Sequence, residues 1–325
     1  MQYPMMHLDD AAVLDVLDLP AVTARLDEAY AAWGHARAAT TTRVRATSSE
    51  GMASAMAAVV PPYSGGKVYA TVDGRFTFVI VLFDLSGRVL CTLDGNAVTS
   101  LRTPATSALA IRHLAAPSSQ VAAVVGGGRQ AWGHLEMLAA ELPDLAEVRL
   151  YARRPEAARG LQERSAGQGL PTVVVAPSAA SAVDGADVVV TVTSSPEPLF
   201  PATVVSDRAL ICAVGATKYD RCEIGPDVVE RCAAVVADDV TGSRSECGDL
   251  LRATAAGRFD WERAVELHDV VAGTAGGAVP RAGSAGPVLF ETQGVALQDV
   301  ATAGLAWERH AAETDYPTDT DKEQP

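Results

Sequence analysis

The chain has 325 residues, enough for two domains, and 48% of them are hydrophobic, which is ample for two cores. Its formal net charge of −14 argues against nonspecific binding to nucleic acid or to an anionic membrane. No apolar run reaches the ~18 residues that span a bilayer, and the first residues lack the pattern of a signal peptide. The five cysteines are odd in number and form no C-x-x-C pair, so neither a disulfide framework nor a metal site is expected, and a reducing cytoplasm fits.

Residues 10–40 predict helix, with apolar positions at Val13, Leu14 and Leu17 and then at Val22, Leu26 and Tyr30. From Arg43 the pattern turns to strands. Phe76–Asp84, the turn Ser86-Gly87 and Arg88–Leu93 predict a hairpin. After Asp94-Gly95-Asn96, residues 97–115 predict a helix whose apolar positions Val98, Leu101, Ala105, Ala108 and Leu109 recur at three and four. Pro117-Ser-Ser breaks it.

The apolar run Val121–Val125 leads straight into Gly126-x-Gly128-x-x-Ala131, with a helical stretch following to Glu141. In that strand–turn–helix context the glycines read as a dinucleotide fingerprint. Gly126 allows the tight turn, Gly128 lets the backbone approach a pyrophosphate, and Ala131 lets the helix pack closely. The free N–H groups of the helix start then face the phosphates. Taken alone, the same glycines also suit an ordinary βα turn.

Further strands are predicted at Val148–Ala152, Thr172–Ala176, Asp187–Thr193, Ala209–Val214 and Ala233–Ala237, with helical stretches between them. Val-rich runs without alternation suit parallel strands buried on both faces. The expected fold class is α/β: a Rossmann-type doubly wound parallel sheet over 117–293, preceded by a second, α+β domain over 1–116. A last amphipathic helix, Gly294–His310, returns to the first domain within 294–312. Residues 313–325 have too little apolar content to pack and are expected to be disordered.

The second Rossmann strand ends at Ala152, and Arg153-Arg154-Pro155 follow. NAD enzymes hold the ribose hydroxyls with an acid at this tip. Here no acid is present, and Arg153 and Arg154 stand where a 2′-phosphate would lie. NADP(H) is therefore expected, with NAD(H) as the alternative.

The order Leu82-Phe-Asp…Leu93-Asp-Gly-Asn…Leu101-Arg-Thr…Ser107-Ala…Pro117-Ser-Ser…Gly126-x-Gly-x-Gln-Ala131 resembles the ornithine cyclodeaminase/mu-crystallin family. Ala186-Asp187-Val-Val-Val-Thr-Val-Thr193, Ala213-Val-Gly-Ala216, Gly248-Asp-Leu250 and Gly294-Val-Ala-Leu-Gln-Asp299 add to the resemblance, which covers about Arg43 to Glu308. It implies a homodimer built through the first domain and an active site between the two domains. It also implies that Lys67, after Gly65-Gly66 at a strand start, faces the substrate, and that Arg102 and Arg43 bind it (Arg45 is the neighbouring candidate for the latter). A guanidinium matches the two oxygens of an α-carboxylate, and a lysine whose pKa burial lowers can move a proton. Alone, each of these cations reads as a solvated surface charge. On the cofactor side the resemblance adds Arg129, Gln130, Thr193, Val214 and Gly215 to Gly126, Gly128 and Ala131.

Two departures bear on the reaction. Where cyclodeaminases carry a proton-handling aspartate, this chain reads Val214-Gly-Ala-Thr217, and a threonine hydroxyl is no base near neutral pH. Asp220, three residues on, could substitute if the loop bends. Where many relatives read Phe-Lys-Ser-x-Gly, the chain has Phe290-Glu291-Thr-Gln-Gly294, either near the substrate pocket or as a loop facing solvent. Asp238, Asp239, Glu246 and Asp249 read as capping and solvating a βα junction, and His113, His134 and His268 as structural or exposed.

The expected activity is NADPH-dependent reduction of a C=N bond beside a carboxylate, giving an L-amino or cyclic imino acid, with Lys67 and Thr217 at the reacting groups. The alternatives are an alanine-type amino-acid dehydrogenase, an ornithine or lysine cyclodeaminase, and a non-enzymatic NADPH-binding protein.

Overall fold

The computed structural model describes residues 6–72, 75–277 and 279–314; the tail expected to be disordered lies outside the described residues from 315 onward. The chain divides into two units, one made of the residues up to Ala32, Ala36–Arg102 and those from Val295, the other of Trp33–His35 and Thr103–Gly294. The division falls inside a helix, so residues 103–116 group with the second unit.

The first unit contains β1 (Met6–Leu8), α1 (Asp10–Val16), α2 (Leu19–Gly34), β2 (Ala39–Thr40), β3 (Val44–Thr47), β4 (Met52–Val60), β5 (Tyr63–Val72), β6 (Arg75–Asp84), β7 (Val89–Asp94), the start of α3 (Gly95–Leu114) and the C-terminal α11 (Ala296–Glu313). The strands form one sheet in the order β1-β7-β6-β5-β4-β2, with β3 also paired to β4. The predicted hairpin is β6–β7. The stretch predicted as helix over 10–40 is broken twice. Pro20 has no N–H for a continuous helix, and Asp18 restarts the chain by capping the Ala21 amide at 2.8 Å. Residues 39–40 pair with β4 as a strand.

Period-two alternation decides what the sheet presents on each side. Met56, Lys67, Ile80 and Leu93 stand opposite one another across β4 to β7 on the buried face. That face is covered by α11, which packs on β4, β5 and β6. One position over, Val44, Ala55, Val68 and Val79 form a row on the opposite face, where the three valines are exposed. Lys67 thus sits inside β5, not at a strand start: the strand begins at Tyr63, and the glycines before Lys67 are part of it.

The second unit contains β8 (Val121–Val125), α4 (Ala131–Glu141), β9 (Glu147–Tyr151), α5 (Pro155–Ser165), β10 (Thr172–Val175), α6 (Ala179–Val183), β11 (Val188–Thr191), β12 (Leu210–Ala213), α7 (Pro226–Arg231), β13 (Ala234–Ala237), α8 (Val240–Glu246), α9 (Gly248–Ala255), β14 (Ala264–Glu266), α10 (Leu267–Ala272) and β15 (Val288–Glu291). All eight strands are parallel, in the order β10-β9-β8-β11-β12-β15-β13-β14. β11, β12, β13 and β15 are buried along their whole length, as their apolar runs require. The chain runs outward from β8 to β10 and returns to β11 beside β8. That reversal opens a crevice at the strand ends where doubly wound sheets bind ligands. Two strands of this sheet have no clear pattern in the sequence: β14 at the edge and β15 between β12 and β13. β15 has only three apolar residues before Glu291, too few to separate it from a loop.

Candidate active site

At the β8/β11 reversal lies a cavity of about 320 Å3, lined by Gly126–Gly128, Tyr151–Arg154, Ala157 and Val192–Ser195 among others. Two of its floor positions, Gly126 and Gly127, have no room for a side chain. Gly126 has φ +134°, in the region only glycine adopts readily, and a Cβ there would lie 2.7 Å from the Val192 carbonyl oxygen. Gly127 is as tightly constrained: its Cβ would meet that of Ala152 at 2.8 Å. The dinucleotide fingerprint treats this position as variable. A Cβ on Gly128 would enter open space, so its backbone stays accessible from the cavity. Ala131 starts α4 just beyond Gln130, half-buried, and Arg129, exposed. Arg153 and Arg154 are exposed at the cavity wall, and Ala152 is buried. These residues fit a dinucleotide: bare backbone for its phosphates, and cations with no acid at the second strand tip.

In the first unit, three of the basic residues singled out by sequence gather on one buried face. The Lys67 ammonium donates to Asp299 Oδ1 at 3.0 Å and to the Thr99 hydroxyl at 2.7 Å. The Arg102 guanidinium donates to Gln298 Oε1 at 2.7 Å, and its Nε lies 3.7 Å from the same Asp299 oxygen. Gln298 in turn donates to the Tyr30 hydroxyl at 2.8 Å. Arg43 lies against Met56, its Nη2 3.8 Å from the sulfur, and its charge is felt at Lys67. Burial pushes the Lys67 pKa down to about 8; Asp299 opposes this, while Arg102 and Arg43 add to it. At neutral pH the group is a cation that gives up its proton readily.

Asp299, Gln298, Thr99 and Tyr30 had no assigned role at the level of sequence. A signal was present: Gln298-Asp299 is a polar pair inside α11, where every residue from Ala296 to Trp307 is buried. Buried polar groups on an otherwise apolar helix must have partners, and here the partners are Arg102, Tyr30 and Lys67.

Among the remaining candidates, Thr193 is half-buried at the cavity, and Val214-Gly215 follow β12. Thr217 is half-buried, its amide donating to the Gly215 carbonyl at 2.9 Å. Asp220 is exposed, 3.7 Å from the Arg221 guanidinium. Glu291 is neither a loop residue nor solvent-facing: it ends β15, fully buried. Asp238 and Asp249 are fully buried too, Asp238 accepting from the Thr292 hydroxyl and the Gly294 amide and Asp249 from the amides of Glu223 and Ile224. Asp239 and Glu246 are buried as well, so the reading of all four as solvated is corrected. Asp238 ties the segment after β15 to the end of β13, and Asp249 ties the Glu223-Ile224 amides to α9. His134 is structural, its Nε2 3.1 Å from the Ser107 hydroxyl, and burial lowers its pKa to about 4.

A model of the ornithine cyclodeaminase/mu-crystallin family matches residues 4–314. The ketimine reductase mu-crystallin of Macropus fuliginosus is 31% identical over 246 residues, 76% of this chain and 73% of that protein. The Delta(1)-pyrroline-2-carboxylate/Delta(1)-piperideine-2-carboxylate reductase of Azospirillum brasilense is 34% identical over 254 residues, 78% of this chain and 75% of that protein. The crystal structure of a probable ornithine cyclodeaminase from Bordetella pertussis Tohama I superposes with a TM-score of 0.89 at 34% identity, covering 97% of this chain and 99% of that one. With the parallel sheet, the glycine-floored cavity and the buried lysine in place, that agreement along nearly the whole length means that the chain belongs to the ornithine cyclodeaminase/mu-crystallin family.

Proposed function

We propose that the protein is an NAD(P)H-dependent oxidoreductase that reduces a C=N bond adjacent to a carboxylate. The observation that carries this is the buried Lys67, held by Asp299 and flanked by Arg102 and Arg43. One unit thus offers a proton donor of lowered pKa and guanidinium groups for a carboxylate. The other offers a cavity for the cofactor. The names of the relatives from Macropus and Azospirillum point to the same class, since both are reductases of imines.

The chain's own residues divide the work as follows. Arg102, oriented by Gln298 and Asp299, would bind the substrate carboxylate, with Arg43 beside it. Lys67 would hydrogen-bond the imine nitrogen and deliver the proton that the nitrogen gains. Asp299 and Thr99 keep the ammonium in one place, so little reorganisation is needed during transfer. When bound, the reduced nicotinamide supplies the hydride. The Gly126–Ala131 loop, including Arg129 and Gln130, would hold its phosphates, and the Thr193 and Val214-Gly215 segments would adjoin its ring end. Thr217 would contribute a hydroxyl and no base. Cyclodeamination lacks support at the loop: Asp220 is exposed and faces Arg221.

Following NADPH absorbance with preformed cyclic 2-imino carboxylates, and separately with pyruvate plus ammonia or methylamine, tests the reading. Steady oxidation with the imines is expected. Oxidation that requires free ammonia would assign an amino-acid dehydrogenase instead. Ammonia release from ornithine without net NADPH change would select a cyclodeaminase.

NADP(H) is the proposed cofactor over NAD(H), because Arg153 and Arg154 line the cavity beside Ala152. NADPH should bind tighter than NADH by roughly tenfold, about 1.4 kcal/mol. The gap should shrink in Arg153→Ala, as read by titration calorimetry. Equal wild-type affinities would defeat the assignment.

A homodimer is proposed through the outer sheet face, where Val44, Val68 and Val79 lie in one exposed row. Contiguous apolar surface of this kind marks an interface. Sedimentation should give a dimer for the wild type and a monomer for Val68→Asp. A monomeric wild type at micromolar concentration would remove the proposal.

A further inference from the structure

Behind the cofactor cavity, out of its wall, lies a carboxylate that the mechanism above does not use. Glu223 is fully buried. Its Oε1 accepts the Thr193 amide at 2.6 Å, and its Oε2 accepts the Gly215 amide at 2.6 Å and the Thr191 hydroxyl at 2.9 Å. Thr191 ends β11, Thr193 follows it, and Gly215 follows β12, so one side chain ties together the segments leaving two neighbouring strands. The two segments run so close that a side chain on Gly215 would collide with the Thr193 carbonyl oxygen and with the Glu223 carboxylate itself.

Glu223 is held in turn. Its amide and that of Ile224 donate to Oδ1 of buried Asp249 in α9, at 2.7 and 3.1 Å. Three hydrogen bonds from donors on two neighbouring segments converge on this one side chain and make a stiff tie. The tie acts at one end of the cavity only. Thr193–Ser195 line it on the β11 side, while Gly126–Gly128 and Arg153–Arg154 line it from β8 and β9 and make no bond to Glu223.

We propose that Glu223 is a positioning residue for the reduction: its carboxylate sets the spacing of the Thr193 and Gly215 segments and so fixes where the nicotinamide end of the cofactor rests. This rests on the cofactor reading of the cavity. An amide in place of the carboxylate would turn an N–H group toward donors that need an acceptor.

The test compares two ligands by titration calorimetry: whichever reduced cofactor, NADPH or NADH, binds tighter, and the same dinucleotide lacking its nicotinamide. In Glu223→Gln the complete cofactor should bind weaker by roughly tenfold or more, turnover should fall, and the truncated compound should bind as in the wild type. Thr191→Val removes one donor with little change of shape and should give the same pattern more weakly, so the proposal stays open to test should Glu223→Gln fail to fold. Equal weakening of both compounds in Thr191→Val, or no change in a folded Glu223→Gln, overturns the proposal. A wild-type chain that binds neither compound overturns the cofactor reading, and this inference with it.

Discussion

Lys67→Met is expected to lower turnover by roughly 10²-fold or more, the contribution of a general acid, while cofactor affinity stays near that of the wild type. Lys67 is enclosed by the sheet and α11, and its ammonium meets Asp299 and Thr99 and lies over the Phe78 ring, 4.5 Å from its centroid. Methionine fills the same space without the charge. The pH profile carries the sign of the role. A proton donor with a pKa near 8 must be charged to act, so turnover should decline as pH rises through about 8. Asp299 raises the Lys67 pKa, so Asp299→Asn should move that decline to lower pH. Thr217→Val should be tolerated far better than Lys67→Met. Full turnover in Lys67→Met, or a decline that Asp299→Asn leaves in place, would reduce the lysine to a structural charge. Equal damage from Lys67→Met and Thr217→Val would overturn the role given to the threonine.

The second large effect concerns stability. Glu223, Asp249 and Glu291 are all fully buried, and among the described residues none forms an ion pair with a basic side chain. Both Glu291 oxygens and Asp249 Oδ2 lack a hydrogen-bond partner, so a proton held on Glu291 would give these orphan acceptors a donor. Burial, with the neighbouring carboxylates, holds Glu291 well above the usual carboxylate range and pushes Asp249 up to about 7. A carboxyl whose pKa is raised by folding stabilises the native state fully at acid pH. That contribution is lost as pH climbs from the ordinary carboxylate range through the raised value.

Wild-type stability should therefore fall between about pH 5 and 8, at up to about 1.4 kcal/mol per pH unit for each proton retained. Glu291→Gln keeps a donor toward Asp249 but binds no proton. Its denaturation midpoint should match the wild type near pH 5 and exceed it at pH 8. A variant less stable than the wild type at every pH would mean that Glu291 is ionised in the native protein.

The cavity proposed for the cofactor was largely legible in the sequence because its determinants are local. A tight turn needs glycine at Gly126, a helix start needs a small residue at Ala131, and the tip of β9 carries Arg153 and Arg154 within a few residues. Continuous Val-rich runs announced β8, β11 and β13 for the same reason: a parallel strand covered on both faces has no polar side to display. Gln298 and Asp299 lie far along the chain from Lys67 and Arg102, and only the docking of α11 on the buried face of β5 brings them together. The same applies to Glu291. Three apolar residues before an acid resemble a loop until β12 and β13 enclose them on both sides, and only then is its carboxyl deprived of water. Local conformation follows from neighbours in sequence; the partner of a buried charge follows from which faces the tertiary structure closes.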